Sequence, residues 1–438
     1  MSLESRLLSA LAPWRQAPAW RVAFSGGLDS TVLLHLLVRL AQCEALPPLS
    51  AIHVHHGLQA AADAWPAHCR RVCETLGVPL SVLRVNVDNG PSLERAARDA
   101  RYAAFVGELG GGEVLFSAQH RDDQAETLLF RLLRGAGVRG LAGMPECRPL
   151  GRGTLVRPLL RVSRAELEAY AHAEGLRWVE DPSNADTNLA RNFLRHDILP
   201  ALRSRWPGVV ENLARSAAHM SEAEALLGEL ARTDLQDAKG NCDFPWLPLP
   251  SLDLQSLAAL TPARQRNALR HWLAPLTPLP DSDHWAGWAD LRDAAADARP
   301  VWRLATGELH RADGRLWWLA GEWLASPLSG LDWIDPGRPL ELPGNGRVEL
   351  LGTPPAGRLE VRYRQGGEVL QLPGRGRRDL KRLLNESRLP AFVRGRLPLL
   401  MADGELLGVA NLPDLDGSRR GGWQLRWTPP TNDQGLSW

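Results

Sequence analysis

Up to about residue 200 the chain alternates two patterns. Short apolar runs at 21–24, 51–54, 80–85 and 114–116 predict strands, because apolar positions without a helical period suit a buried sheet. Between them, leucine and alanine recur every three or four positions over 31–41, 64–76, 93–109 and 124–134, the spacing of amphipathic helices. Strands and helices alternating through short loops predict a parallel α/β sheet. Ligands gather beyond the carboxyl ends of such strands, so chemistry is expected just after each apolar run.

Past residue 200 the pattern changes. Helical segments are interrupted by proline-rich connections at 244–250 and 275–280, which predicts a helical middle domain. A connector at 327–343 leads to short, glycine-punctuated segments at 347–351 and 359–363 and one helix at 379–387, the pattern of a small α+β C-terminal domain. The expected domains are 1–215, 216–340 and 341–438, in keeping with a length of 438 residues, more than one core usually serves.

Composition narrows the setting. Five cysteines with no CxxC pair suit a reducing cytosol, and Cys69 and Cys73, one helical turn apart, suit an apolar face better than a metal half-site. No uncharged apolar stretch reaches the ~18 residues of a membrane span, and the first twenty residues lack an export pattern, so a cytoplasmic protein with no membrane partner is expected. The net charge of +1 hides an uneven distribution. Lys239 and Lys381 are the only lysines, and arginines crowd two stretches. The first holds Arg131, Arg134, Arg139, Arg148, Arg152, Arg157, Arg161 and Arg164 against Glu146 alone; the second holds Arg375, Arg377, Arg378, Lys381, Arg382, Arg388, Arg394 and Arg396. Guanidinium groups suit phosphate and stacked bases, although codon bias and a solvated basic face produce the same pattern.

Candidate chemistry begins at Ser25-Gly26-Gly27-Leu28-Asp29-Ser30, which follows the first strand and opens the first helix. Glycines, hydroxyls and backbone N–H groups converge there as an anion cradle. The loop lacks the lysine of GxxxxGK[ST], which points away from γ-phosphate transfer. Its SGGxDS pattern resembles the PP-loop (N-type ATP pyrophosphatase) superfamily. That resemblance implies cleavage of ATP to AMP and pyrophosphate, with residues 25–30 holding the pyrophosphate portion.

After the strand at 114–116 comes His120-Arg121-Asp122-Asp123-Gln124-Ala125-Glu126-Thr127. Asp122 or Asp123 is expected to cap the next helix, and Asp123 and Glu126, three apart, share one face. A capping box has the same spacing. Beside an ATP site, a histidine and three acids are where Mg²⁺ and a cationic amine would be neutralised, and His120 is placed to bond a phosphate or shuttle a proton. His53-Val54-His55-His56-Gly57-Leu58 alternates faces, which suits base contact or structure rather than a metal. Glu94, Arg98 and Arg101 fall near one helical face, expected as a solvated surface.

A narrower resemblance rests on an ordered set of stretches: HVHHGL at His53, ERAARDARY at Glu94, HRDDQAET at His120, residues 132–144, RPLL at Arg157, EDPSN at Glu180 and RNFLRHDILP at Arg191. These look like the tRNA(Ile)-lysidine synthetase family. RQGGE at Arg364 and KRLLNE at Lys381 look like that family's C-terminal domain, while 215–340 carries no matching motif. The resemblance implies that the C2 carbonyl oxygen of the wobble cytidine in CAU-anticodon tRNA(Ile) attacks the α-phosphate of ATP. L-lysine's amine then displaces AMP to give lysidine.

On that implication Asp29, His120, Asp123, Glu126, Arg191 and Arg195 are the expected catalytic residues. Asp123 and Glu126 would hold Mg²⁺ or the lysine amines, and Arg191 and Arg195, four apart, would contact phosphate; a surface pair has the same spacing. Three other functions compete. A thiolase of the same superfamily needs cysteines near the site, and none sits beside these motifs. A free-nucleotide ligase would leave the arginine clusters without purpose. A non-enzymatic tRNA-binding protein would not need Asp29, Asp123 and Glu126 intact.

Overall fold

The computed structural model describes residues 2–57, 60–87, 93–239, 243–281, 283–295, 298–328, 330–372, 376–419 and 422–432. The chain divides after Leu226 into two compact units.

In the first unit the elements run α1 (Leu3–Leu11), β1 (Trp20–Ala23), α2 (Leu28–Cys43), β2 (Leu49–His55), α3 (Trp65–Leu76), β3 (Leu80–Arg84), α4 (Leu93–Glu108), β4 (Val114–Phe116) and α5 (Arg121–Leu132). There follow α6 (Val138–Leu141), β5 (Cys147–Leu150), β6 (Gly153–Val156), α7 (Arg164–Ala173), α8 (Ala190–Phe193), a π turn (Leu194–Ile198), α9 (Leu199–Arg205) and the start of α10 (Val209–Lys239). The sheet order is β3-β2-β1-β4-β6-β5. All pairs are parallel except β5–β6, a hairpin that the sequence pattern did not announce.

Both faces of this sheet are covered, which explains apolar runs without alternation. One face packs Val22, Phe24, Phe116 and Val156 against leucines of α2, Cys69 and Cys73 of α3 and Leu167 of α7. On the other, Phe105 and Leu109 of α4 cover Ile52, Leu115 and Leu155. The register Ala23↔Ile52 and Val22↔Phe116 brings the carboxyl ends of β1, β2 and β4 to one edge. The chain reverses its winding between β1 and β4, the switch point where ligands bind in such sheets.

The second unit begins with the rest of α10 and continues through β7 (Ser251–Asp253), α11 (Leu254–Ala258), α12 (Pro262–Leu273), α13 (Ala286–Asp293), β8 (Val301–Arg303), β9 (Glu308–Ala312) and β10 (Arg315–Leu319). This helical region also carries an antiparallel sheet of order β7-β10-β9-β8. The hairpin β9–β10 turns at Asp313-Gly314, both with positive φ (47° and 71°), as a tight Asp-Gly turn requires.

Beyond it, antiparallel strands form the small C-terminal region. Leu331–Asp332, Leu359–Arg362, Leu399–Ala402 and Glu405–Val409 make one sheet; Leu340–Glu341, Arg347–Gly352 and Trp423–Thr428 make another. The helix Leu380–Glu386 starts where Asp379 accepts the N–H of Arg382. Trp317, Leu319 and Trp323 share one apolar core with Val348, Leu399 and Trp427. Arg396, expected in the basic surface cluster, is 5% exposed. Its guanidinium lies 5.1 Å over Trp323 and donates to the carbonyls of Glu322, Ala325 and Gly344, because the segments on either side of the 327–343 connector fold over it.

Candidate active site

Beyond β1 the chain turns through the glycine loop. Gly26 has φ +83°, and a Cβ there would stand 2.9 Å from Cys69 Sγ and 3.3 Å from Val179 Cγ2, so glycine is what lets the loop lie on α3. Burial, with Cys73 nearby, pushes the Cys69 thiol up to about 12, and it packs as a neutral group. Gly27 caps α2 in an extended conformation with no side-chain cap, which leaves first-turn N–H groups for an anion. The Ser30 and Thr31 hydroxyls donate to the Gly27 carbonyl at 3.1 and 2.9 Å, and Ser25 Oγ lies 3.0 Å from Ser30 Oγ. The Val179 N–H holds the Gly26 carbonyl at 2.9 Å.

This loop forms one wall of a cavity of about 800 Å³, which Asp29, His53, His56, Asp123 and Arg195 also line. Asp29 keeps Oδ1 buried without a hydrogen-bond partner among the described residues, while Oδ2 is 3.7 Å from His120 Nε2 and 3.8 Å from Arg164 Nη1. Burial raises its pKa, against the lowering pull of His120 and Arg164. His56 is pushed down to about 4 by burial and by Arg101, so it is a neutral imidazole near pH 7.

The second cluster sits at the start of α5, and His120 is its N-cap, in place of the expected Asp122 or Asp123. His120 Nδ1 accepts the Asp123 N–H at 3.4 Å, and the His120 N–H donates to Asp123 Oδ2 at 3.1 Å. Asp122 turns to Arg164 and Arg203 instead, accepting at 2.9 and 2.5 Å. Asp123 is thus a capping-box partner and a member of the site together.

Arg195 joins the two acids of the shared face. Its Nε donates to Glu126 Oε1 at 2.6 Å, and its Nη2 donates to Glu126 Oε2 at 2.9 Å and to Asp123 Oδ1 at 3.1 Å. Glu126 is 1% exposed, and burial raises its pKa while Arg195 opposes the rise. Arg191 donates to Thr127 Oγ1 at 2.9 Å, with Nε 3.9 Å from Glu126.

A helix N-terminus without a side-chain cap and a compensated acid cluster therefore face one cavity. A PP-loop domain model matches residues 1–202, a TilS substrate binding domain 252–317 and a TilS substrate C-terminal domain 359–427. The chain is 64% identical to the tRNA(Ile)-lysidine synthase of Pseudomonas fluorescens (strain Pf0-1), over 100% of this chain and 99% of that protein. It is 65% identical to the enzyme of that name from Pseudomonas aeruginosa (strain PAO1), over 99% of each, and 46% identical to that from Alkalilimnicola ehrlichii, over 93% and 92%. The chain belongs to the tRNA(Ile)-lysidine synthase family.

Within this family member, five of the six residues expected as catalytic form one line of contacts, Asp29–His120–Asp123–Arg195–Glu126, and Arg191 approaches through Glu126. Arg164, expected in an RNA-facing cluster, stands beside Asp29. The Ser163–Glu166 capping box sets Arg164 at the first position of α7, and that spacing was the available signal. Arg98 and Arg101 are exposed, as expected of a solvated face, and Arg101 also lines the cavity with Tyr102 and Phe105.

The first arginine cluster divides. Arg131 donates to the carbonyls of Gly140 and Gly143, both at 2.8 Å, and the buried Arg157 donates to that of Pro145, so these two hold the 134–145 loop. Arg134, Arg139 and Arg152 are exposed. Arg375 and Leu58, and the side chain of Glu94, lie outside the described residues.

Proposed function

We propose that this chain is an ATP-dependent ligase that forms lysidine on tRNA(Ile). The carrying observation is one continuous charge cluster, from Asp29 of the phosphate loop to Glu126 of α5, beside a helix end built for an anion. Ser25, Gly26, Gly27, Leu28, Asp29 and Ser30 hold the pyrophosphate portion of ATP. The C2 carbonyl oxygen of the wobble cytidine attacks the α-phosphorus, and pyrophosphate leaves. The amine of L-lysine, once it has lost a proton, bonds to C2; the C2–O bond breaks and AMP departs. Asp123 and Glu126 hold the ammonium before that step.

Mg²⁺ fits Asp29 better than Glu126. Among the described residues Asp29 Oδ1 has no hydrogen-bond partner, whereas both Glu126 oxygens are on Arg195. Among the described residues no group of three or more His, Cys, Asp or Glu forms a metal cage, which suits an ion that takes most ligands from phosphate and water. When bound, the ion would neutralise charge developing on the phosphates.

Residues 1–215 are the catalytic domain in this reading, and 216–340 and 341–438 bind tRNA. The substrate-domain matches and the exposed Arg377, Arg378, Lys381 and Arg382 support the latter roles. No described helix is long and apolar enough to cross a membrane, and a cytoplasmic location is part of the proposal. Incubation with bulk tRNA, ATP and radiolabelled lysine tests the function. Label should enter tRNA only when ATP is present; no label, or label without ATP, sinks the assignment.

A further inference from the structure

The sequence points Arg195 at phosphate and Asp123 with Glu126 at Mg²⁺ or an amine, yet in the structure these groups neutralise one another. Both oxygens of Glu126 and one of Asp123 accept from the Arg195 guanidinium. Glu126 is 1% exposed. A carboxylate buried so deeply is not left bare, so an ammonium reaches it only by exchange with the cation already there.

We infer that Arg195 gates the amine site: without nucleotide it occupies the seat of the substrate ammonium, and the phosphates of bound ATP draw it off, so that lysine enters only the nucleotide-loaded enzyme. This rests on the amine-site reading above. Three features of the structure support it. Arg195 lines the same cavity as Ser25, Gly27 and Ser30 of the phosphate loop, and Asp29 of that loop is near enough to act on its charge. Its Nη1 makes no hydrogen bond to a described residue, so a donor is ready for a phosphate oxygen while Nε and Nη2 still hold the acids. It also stands in the π turn Leu194–Ile198, a wider backbone register of a kind that recurs at functional sites. The exchange puts one cation in place of another, and the cluster has the same charge before and after it.

Calorimetry on the full chain tests the gate. L-lysine is titrated into the protein alone and into protein saturated with Mg²⁺ and α,β-methylene-ATP, which resists cleavage at the bond in question. A seat open in only a fraction of molecules weakens the apparent affinity by that fraction, so lysine should bind at least about tenfold tighter with the analogue. Linkage requires the analogue to bind tighter by the same factor when lysine is saturating. In Arg195→Ala the factor should fall to about one, because the seat is already open. Arg195→Lys keeps a cation without the bidentate fork and should show an intermediate factor, which covers the case where the alanine variant does not fold.

The gate is overturned if the parent binds lysine equally, or undetectably, in both states, or if Arg195→Ala keeps the parent's coupling. Lysine incorporation into tRNA by the same parent preparation separates the two readings. Incorporation without coupling removes the gate alone, whereas no incorporation removes the amine-site reading along with it.

Discussion

Asp29 is a carboxylate held where ionisation is costly. Burial raises its folded pKa above the unfolded value, so the native protein binds this proton more tightly than the unfolded chain does. Its contribution to stability is therefore favourable at low pH and is lost as pH rises through the folded value. At pH 7 the ionised group weakens the ligand-free fold, and Asp29→Asn should raise Tm by about 1–3 °C while abolishing pyrophosphate release. Thermal unfolding decides it, and a Tm at or below the parent's refutes the strain. Burial raises the Glu126 pKa too, but both of its oxygens hold the Arg195 guanidinium, which its removal would leave without its main partner. As a mere capping acid its loss would cost about 1 kcal/mol, whereas breaking a buried bidentate pair costs about 3 kcal/mol, so Glu126→Gln should fall near the larger figure in a urea titration.

Helix α7 carries Arg164 to Asp29, and its start is set by two residues. The Ser163 hydroxyl accepts the Glu166 N–H at 3.2 Å, and Glu166 accepts from the Ser163 N–H and hydroxyl at 2.8 and 2.7 Å. Ser163→Ala should cost about 1 kcal/mol in denaturant unfolding and lower activity by loosening Arg164. Burial alone would raise the Glu166 pKa, but the Ser163 bonds and Arg6 hold it at about 2. A depressed carboxylate stabilises the fold above its unfolded pKa of ~4.3, and that contribution fades as pH falls towards 2. Glu166→Gln should flatten stability against pH in that window, and an unchanged acid limb would show that the bonds do not persist in solution. Elements of this kind were legible because a capping box is a relation between residues three apart.

At the scale of the whole chain, Arg377 and Arg378 of the C-terminal cluster stand on a surface strand. Every residue of Gly376–Asp379 is exposed, and among the described residues Arg377 and Arg378 have no acidic partner. Arg382 is weakly paired with Glu386 at 3.3 Å. If tRNA phosphates lie there, Arg377→Ala and Arg378→Ala should each lower the log–log salt slope of tRNA binding by about one unit, and Arg382→Ala by less. Parent slopes in both variants, titrated at several salt concentrations, would mark the strand as a solvated face. Deleting the chain from 345 onwards is a poor substitute. It would uncover Trp317, Leu319 and Trp323, whose core includes strands of that segment.

The sequence by itself determined what depends on near neighbours: the alternation that makes a two-sided parallel sheet, the glycine loop at a helix N-terminus, and the acids that share a face of α5. Period, chirality and capping act over a few residues, so composition and spacing are enough to read them. Only the tertiary structure decided which charges meet. Arg195 reaches Glu126 across 69 positions, Arg164 comes back to Asp29, Cys69 supports Gly26, and Arg396 leaves the surface for segments more than fifty residues earlier. Guanidinium groups look alike along a sequence. Solvation and the partner that the fold brings to each one set its role, and both follow from the strand order and from packing on the two faces of the sheet.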